Sequence, residues 1–125
     1  QVLGDKEHLI KVFLNLIKNS TEAVDKNGEI MVNTRMLTDF HLVEEGYRAA
    51  KMASVEIKDN GCGISKENME KIFTPFFTTK AKGSGLGLAL SFRIIKEHGG
   101  FFKIDSNPGK GTAISIFLPI AEKQL

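Results

Sequence analysis

The sequence predicts an α+β domain in which one β-sheet is covered on one face by helices. Residues 5–24 place apolar side chains at helical spacing, which predicts a helix with one buried stripe. Four other segments are rich in strand-forming residues, and two of them alternate clearly between apolar and polar residues. The chain order is helix, two strands, two helices and two strands, and one sheet with helices on a single face buries the apolar side of each element.

The first half of the chain contains one predicted helix and two predicted strands. Asp5 can cap a helix that runs to about Val24, because its carboxylate can accept a hydrogen bond from a free N–H group of the first turn. Strands are predicted at 29–37 and 53–59, where apolar residues recur at every second position. Residues 38–52 connect them, and the sequence leaves the structure of this connection open.

The second half of the chain contains two predicted helices and a predicted β-hairpin. Pro75 prevents simple continuation of the first helix, and residues 74–84 read as an irregular loop. Gly99 and Gly100 form a helix stop, and the sequence NPGKG is a hairpin signal. The predicted elements are helices from Ser65 to about Phe73 and from about Gly87 to His98, with strands at 101–106 and 112–119.

Length and composition indicate an ordinary globular protein. The 125 residues fit one domain, residues 1–125, and 42% apolar with 26% charged residues is a typical balance. A net charge of +2 gives no argument for nucleic acid or an anionic membrane. The single cysteine, Cys62, excludes an internal disulfide and fits a reducing compartment. The chain begins at Gln1 without a methionine, which suggests a piece of something longer.

Two asparagines stand one turn apart on the first predicted helix. Asn15, Asn19 and Glu22 fall beside the apolar stripe, and asparagine is a poor helix former. One interpretation is a solvated surface. The other is a metal site, because amide oxygens are hard ligands and Mg²⁺ often takes one or two protein ligands together with phosphates.

Asp59 ends the second predicted strand on its buried side. The alternation of Val55, Ile57 and Asp59 points this carboxylate inward, where an unpaired charge is unfavourable. A turn-forming DNG sequence is one explanation. The other is an acceptor for an amino group on a ligand, with Gly61 and Gly63 keeping the chain clear of that ligand.

A glycine-rich segment with two lysines precedes the helix that starts near Gly87. A helix N-terminus offers free N–H groups and a positive dipole end, which together can hold a phosphate. Lys80 and Lys82 would add positive charge beside it, and a generic glycine-rich connection is the alternative. Neither G-x-x-x-x-G-K-[ST] nor G-x-G-x-x-G after a strand is present.

Five motifs follow one another in chain order: NLIKNSTEA at 15–23, DNGCGI at 59–64, IFTPFFTTK at 72–80, GSGLGLAL at 83–90 and GKGT at 109–112. Together they resemble the N box, G1 box, F box, G2 box and third glycine motif of the ATP-binding catalytic domain of bacterial sensor histidine kinases, in the superfamily shared with type II topoisomerase, Hsp90 and MutL ATPases. Their form is similar to the nitrogen-regulatory subgroup. The resemblance implies a Bergerat-type α/β sandwich, with a mixed, mostly antiparallel sheet under three main helices.

The resemblance also implies roles for individual residues. Asn19 and Asn15 would bind Mg²⁺, Asp59 would accept the adenine amino group, and Thr112 would support adenine through water. Phe73, Phe76 and Phe77 would anchor a lid, and Lys80 would act in catalysis with the two asparagines. The implied nucleotide-binding residues are Asn15, Asn19, Asp59, Gly61, Gly63, Ile64, Phe73, Phe77, Lys80, Lys82, Gly83, Ser84, Gly85, Leu86, Gly87, Leu88 and Thr112.

The implied activity is transfer of the γ-phosphoryl group of Mg-ATP to a histidine on a separate dimerisation domain of the same parent chain. A response regulator would be the next partner. The parent would be a cytoplasmic or membrane-anchored homodimer, and the isolated domain a monomer without nucleic-acid or direct membrane contact.

Two departures and three alternatives stay open. Glu22 stands where some of these kinases have a basic residue that contacts phosphate, and a glutamate cannot make that contact. Many of them have an arginine just after the F-box aromatics, where this chain has Thr78 and Thr79, and Lys80 or Lys82 would substitute for it. An ATP-hydrolysing switch would need a glutamate where Asn15 stands, since an amide cannot take a proton from water. A serine kinase of the same superfamily and a non-catalytic nucleotide-binding module are the remaining alternatives.

Overall fold

A computed structural model describes residues 2–38, 51–77 and 87–120. Most element boundaries lie one or two residues from the predicted ones; the second helix is the exception, because it ends at Met69 rather than near Phe73. The elements are α1 (Lys6–Ala23), β1 (Ile30–Thr38), β2 (Lys51–Asp59), α2 (Lys66–Met69), α3 (Gly87–Glu97), β3 (Phe101–Asn107) and β4 (Gly111–Pro119).

The four strands form one sheet in the order β1-β2-β4-β3. Each described pair is antiparallel, so the parallel pairing that a mixed sheet would contain is not among the described strands. Strands β3 and β4 form the predicted hairpin. Strand β4 lies in the middle of the sheet, between β2 and β3, which brings the ends of three strands together at Asp59, Ser106 and Thr112.

The hydrophobic core lies between the sheet and two helices, α1 and α3. These helices pack against each other, α1 contacts β2 and β4, and α3 contacts β3. Core side chains come from both layers: Val12, Leu16, Ile57, Ile94, Ile95, Ile114, Ile116 and Leu118. The α+β fold with helices on one face is therefore confirmed, although α2 is only a single helical turn. No helix in the described parts of the chain is both long and apolar enough to cross a membrane.

The helix ends follow the predicted signals. Asp5 caps α1, and its Oδ1 accepts a hydrogen bond from the His8 N–H at 3.1 Å. This hydrogen bond holds the pKa of the Asp5 carboxyl below its ordinary value of 3.8. Ser65 caps α2 in the same way, through Asn68 at 3.2 Å. Helix α3 stops at Gly99 and Gly100, whose N–H groups bond back to carbonyl groups of its last turn.

His98 joins the start of α1 to the end of α3. The Asp5 N–H donates to His98 Nε2 at 2.9 Å, so the ring proton lies on Nδ1 and is donated to the Ile94 carbonyl oxygen at 2.7 Å. A Cβ at Gly4 would lie 2.4 Å from the His98 ring, so the chain entering α1 passes directly over the imidazole. This contact fixes the two helices relative to each other at the end opposite Asn19.

Candidate functional site

The Asp59 carboxylate lies at the end of β2, on the buried side of the sheet, as its alternation with Ile57 predicts. Only 6% of the residue is exposed, so this charge is largely removed from water. Its Oδ1 accepts a hydrogen bond from the Gly61 N–H at 2.9 Å. In the described parts of the chain, no hydrogen bond to its second oxygen is found. That oxygen can therefore accept a donor from a ligand.

Thr112 and Ser106 continue this polar row across the sheet. Thr112 pairs with Asp59 between β4 and β2, and Ser106 pairs with Thr112 between β3 and β4. Directly opposed residues on neighbouring antiparallel strands project to the same face. The two hydroxyl oxygens are 2.7 Å apart, and Ser106 Oγ also accepts a hydrogen bond from the Ile64 N–H at 2.8 Å. The loop after β2 is thereby fixed to the end of the hairpin.

Gly63 lets this loop lie close to the hairpin. Its φ is +73°, and a Cβ there would lie 2.2 Å from the Asn107 carbonyl oxygen. The Gly109 N–H also donates to the Cys62 carbonyl oxygen at 2.7 Å. The space beside Gly63 is thus filled by protein backbone, and the glycine is required for chain packing whatever the loop binds.

Helix α1 brings its two asparagines to the same region. Both are half-buried. Asn15 Nδ2 donates to Ser91 Oγ on α3 at 3.2 Å. At the C-terminal end of α1, the Cys62 N–H donates to the Ala23 carbonyl oxygen at 3.1 Å. Asn19 lies between these two contacts, so α1 passes from the start of α3 to the loop that follows Asp59.

Gly87 begins α3 directly against Asn15. A Cβ at this position would lie 2.2 Å from Asn15 Oδ1, so only glycine leaves the amide where it is. Since Asn15 Nδ2 is held by Ser91, the carbonyl oxygen is the end of the amide that faces the helix start. Leu88, the next residue, packs its side chain against the hydrophobic core.

The three F-box phenylalanines differ sharply in their surroundings. Phe73 lies in an aromatic cluster, with ring centroids 5.0 Å from Phe92 of α3 and 5.7 Å from Phe102 of β3. Phe77 is half-buried. Phe76 is 75% exposed and has a φ of +68°, which is strained for a phenylalanine. Of these three phenylalanines, Phe73 is thus the one that packs this segment against α3 and β3.

The structure brings together most of the described candidates from the sequence: Asn15, Asn19, Asp59, Gly61, Gly63, Ile64, Gly87 and Thr112. Phe73 and Phe77 lie on the segment that follows α2. Lys80, Lys82, Gly83, Ser84, Gly85 and Leu86 fall outside the described residues, so their roles stay predictions.

Two hydroxyl residues at the site were missed by the sequence analysis. Ser106 and Ser91 each bond a predicted site residue, Thr112 and Asn15 respectively. For Ser106 a signal was present, since pairing the predicted hairpin about its turn places residue 106 opposite 112. Nothing in the sequence pattern alone distinguishes Ser91 from a core residue of α3.

The family model described as "Histidine kinase-, DNA gyrase B-, and HSP90-like ATPase" matches residues 4–122. The chain belongs to this ATPase family. Sporulation kinase C of Bacillus subtilis is 39% identical over 94% of this chain and 24% of its own length. Signal transduction histidine-protein kinase AtoS of Escherichia coli is 42% identical over 94% of this chain and 17% of its own length.

Solved structures agree with this assignment of the ATPase domain. The mycobacterial sensor histidine kinase MprB superimposes with a TM-score of 0.75 at 31% identity, covering 95% of this chain and 74% of that one. The catalytic domain of histidine kinase ThkA gives 0.74 at 32% identity, covering 94% and 70%. The chain spans a quarter or less of the length of the two curated relatives named above. A domain of this ATPase family binds ATP, while the expected likeness to the nitrogen-regulatory subgroup stays a prediction.

Proposed function

We propose that residues 1–125 form the ATP-binding domain of a longer sensor histidine kinase, and that this domain transfers the γ-phosphoryl group of Mg-ATP to a histidine on a separate dimerisation domain. The observation that carries the proposal is the buried Asp59 carboxylate, with one oxygen held by Gly61 and the other open to a donor. An exocyclic amino group on a purine is the donor that this oxygen suits.

The two asparagines of α1 suit a magnesium ion better than a transition metal. Amide oxygens are hard, neutral ligands, so the phosphates would supply the compensating negative charge. Ser91 holds the Asn15 amide by its nitrogen, which leaves the oxygen as the atom available to a cation. When bound, Mg²⁺ supplies charge that stabilises the phosphoryl group during transfer. We propose Asn19 and Asn15 as the protein residues that hold it.

Phosphoryl transfer is favoured over ATP hydrolysis by the residue that stands one turn before Asn19. That residue is Asn15, and its amide cannot activate water by taking a proton. The acceptor histidine is itself a nucleophile, so the domain needs to hold and orient the nucleotide rather than supply a general base. Lys80 and Lys82 are the proposed cations beside the γ-phosphate.

The partners follow from this chemistry. The acceptor histidine would belong to a helical dimerisation domain of the same parent chain, and the phosphoryl group would pass on to a response regulator. We place the domain in the cytoplasm, as a monomer when isolated and as part of a homodimer in the parent kinase.

The experiment mixes the domain with its separately purified dimerisation domain and γ-labelled ATP. Acid-labile, base-stable label on the partner supports histidine phosphorylation. Acid-stable phosphoserine would favour the serine-kinase variant, and rapid multiple turnover of free ATP the hydrolytic switch. Asn19→Ala should abolish labelling. Asn27→Ala is the matched control, because it removes an exposed amide in the turn after α1. Labelling that survives in Asn19→Ala would contradict the assignment of the metal site.

A further inference from the structure

Ser106 lies in contact with three groups whose hydrogen-bonding roles can be assigned. Its Oγ is 2.8 Å from the Ile64 backbone nitrogen, 3.1 Å from the Gly111 carbonyl oxygen and 2.7 Å from Thr112 Oγ1. The Ile64 N–H can only donate, and the Gly111 carbonyl can only accept. A serine hydroxyl has one proton to donate and two lone pairs to accept with.

These limits leave one arrangement that satisfies all three contacts. Ser106 must donate its proton to the Gly111 carbonyl oxygen, because a carbonyl oxygen has no proton and can only accept. It must then accept from the Ile64 N–H with one lone pair and from the Thr112 hydroxyl with the other. The Thr112 proton is thereby directed toward Ser106 and away from Asp59.

The direction of the Thr112 O–H bond decides which hydrogen-bonding groups the site presents to a nucleobase. With its proton engaged, Thr112 Oγ1 has only lone pairs left for a ligand. Asp59, opposite Thr112 in the sheet, presents carboxylate oxygens, which also only accept. Both residues are buried, at 6% and 8% exposure, so water compensates little for a mismatched partner. The two neighbouring side chains therefore form a surface of acceptors alone.

We infer that Ser106 is a specificity-determining residue. Because it accepts a hydrogen bond from the Thr112 hydroxyl, the base-binding surface selects 6-amino purines over 6-oxo purines. This inference rests on the proposed nucleotide site. An amino group donates to such a surface directly or through a water that donates to Thr112. A 6-oxo group brings further lone pairs against those of Asp59 and Thr112. Ser106 touches no nucleotide itself and acts through Thr112.

The wild-type domain provides the first test, by calorimetry with ADP, purine riboside 5′-diphosphate and inosine 5′-diphosphate. An acceptor-only surface predicts affinities that fall in that order, because a 6-oxo group is worse than no substituent at all. Inosine diphosphate binding as well as the purine riboside compound would overturn the inference. This test uses only the wild-type domain, so its result does not depend on whether a variant folds.

Ser106→Ala provides the second test. Without Ser106, the Thr112 hydroxyl can turn and donate to a 6-oxo group, so the preference for purine riboside diphosphate over inosine diphosphate should narrow about tenfold. Ser106→Thr keeps the hydroxyl and should restore the preference. Ser115→Ala is the matched control, because Ser115 lies on β4 at a position that lines the opposite face of the sheet.

The outcomes separate the inference from the proposed function. If the wild-type domain binds none of the three nucleotides, the proposed function fails and the inference with it. If it prefers ADP but Ser106→Ala weakens all three nucleotides equally, Ser106 only anchors the loop, and the inference fails while the function stands. A narrowed preference in Ser106→Ala, with unchanged values in Ser115→Ala, supports the inference.

Discussion

Replacing Asp59 by asparagine tests the site with very little change of shape. Asparagine keeps an oxygen that can accept from the Gly61 N–H, whose nitrogen lies 2.9 Å from Asp59 Oδ1 in the wild-type domain. The second oxygen becomes an NH₂ group, which faces the amino group of adenine as donor against donor. The substitution therefore removes the proposed ligand contact and retains the contact that holds the loop.

The expected loss of nucleotide affinity follows from the burial of this residue. A hydrogen bond to a charged group contributes about 1.5–3 kcal/mol, and Asp59 is 6% exposed, so water replaces little of it. At about 1.4 kcal/mol for each factor of ten, ADP should bind about 10- to 150-fold more weakly. The free energy of unfolding without nucleotide should not fall, because the substitution removes a desolvated charge.

Calorimetry with Mg-ADP measures the affinity, and thermal unfolding without nucleotide measures the stability. Asp105→Asn is the control, since it makes the same charge change at an exposed position of β3. Unchanged ADP affinity in Asp59→Asn would remove this carboxylate from the site. A lower Tm accompanying the lost affinity would show instead that Asp59 mainly stabilises the fold.

Three further predictions test the surrounding structure. Gly87→Ala should weaken Mg-nucleotide binding at least about tenfold by displacing the Asn15 amide. Tm should fall little, because alanine gains up to about 1 kcal/mol in helix propensity over glycine. Equal nucleotide affinity in calorimetry would refute the displacement of Asn15. Phe73→Ala should lower the free energy of unfolding in urea by about 2–4 kcal/mol, whereas Phe76→Ala at the exposed position should change it by about 0.5 kcal/mol or less. Asp5→Ala should lower Tm in full above about pH 4, and the difference should shrink as the pH falls further. The pKa of the folded carboxyl lies below its ordinary value of 3.8, so the stabilising effect of the charged cap is lost as the pH falls through that lower pKa. A Tm difference that does not shrink as the pH falls below 3.8 would rule out the charged cap as its cause.

Local signals in the sequence were sufficient for most of the fold. The caps at Asp5 and Ser65 and the stop at Gly99 depend on side-chain and backbone chemistry within a few residues, so the helix positions could be read directly. Among the helix ends, the C-terminal end of α2 differed most, because the residues after Met69 form turns instead of continuing the helix. The inward direction of Asp59 followed from strand alternation alone.

The F box shows where pattern alone is insufficient. Phe73, Phe76 and Phe77 are the same residue type within five positions, and the family resemblance implied that all three anchor a lid. In the structure only Phe73 packs into an aromatic cluster, whereas Phe76 points its ring to solvent from a left-handed backbone conformation. The difference depends on how the chain turns at Pro75, which no periodicity encodes.

Strand register limits how far the remaining site residues could be predicted from the sequence. Thr112 lies beside Asp59, and Ser106 beside Thr112, only because β4 pairs with β2 and β3 at these positions. A shift of one residue would turn Thr112 to the opposite face and separate its hydroxyl from both partners. Gly111 allows this pairing, since a Cβ there would lie 2.0 Å from the Asp59 carbonyl oxygen. The glycine motif GKGT thus has a role that its spacing did not reveal: it lets β4 approach β2 closely enough to place a hydroxyl next to the buried carboxylate.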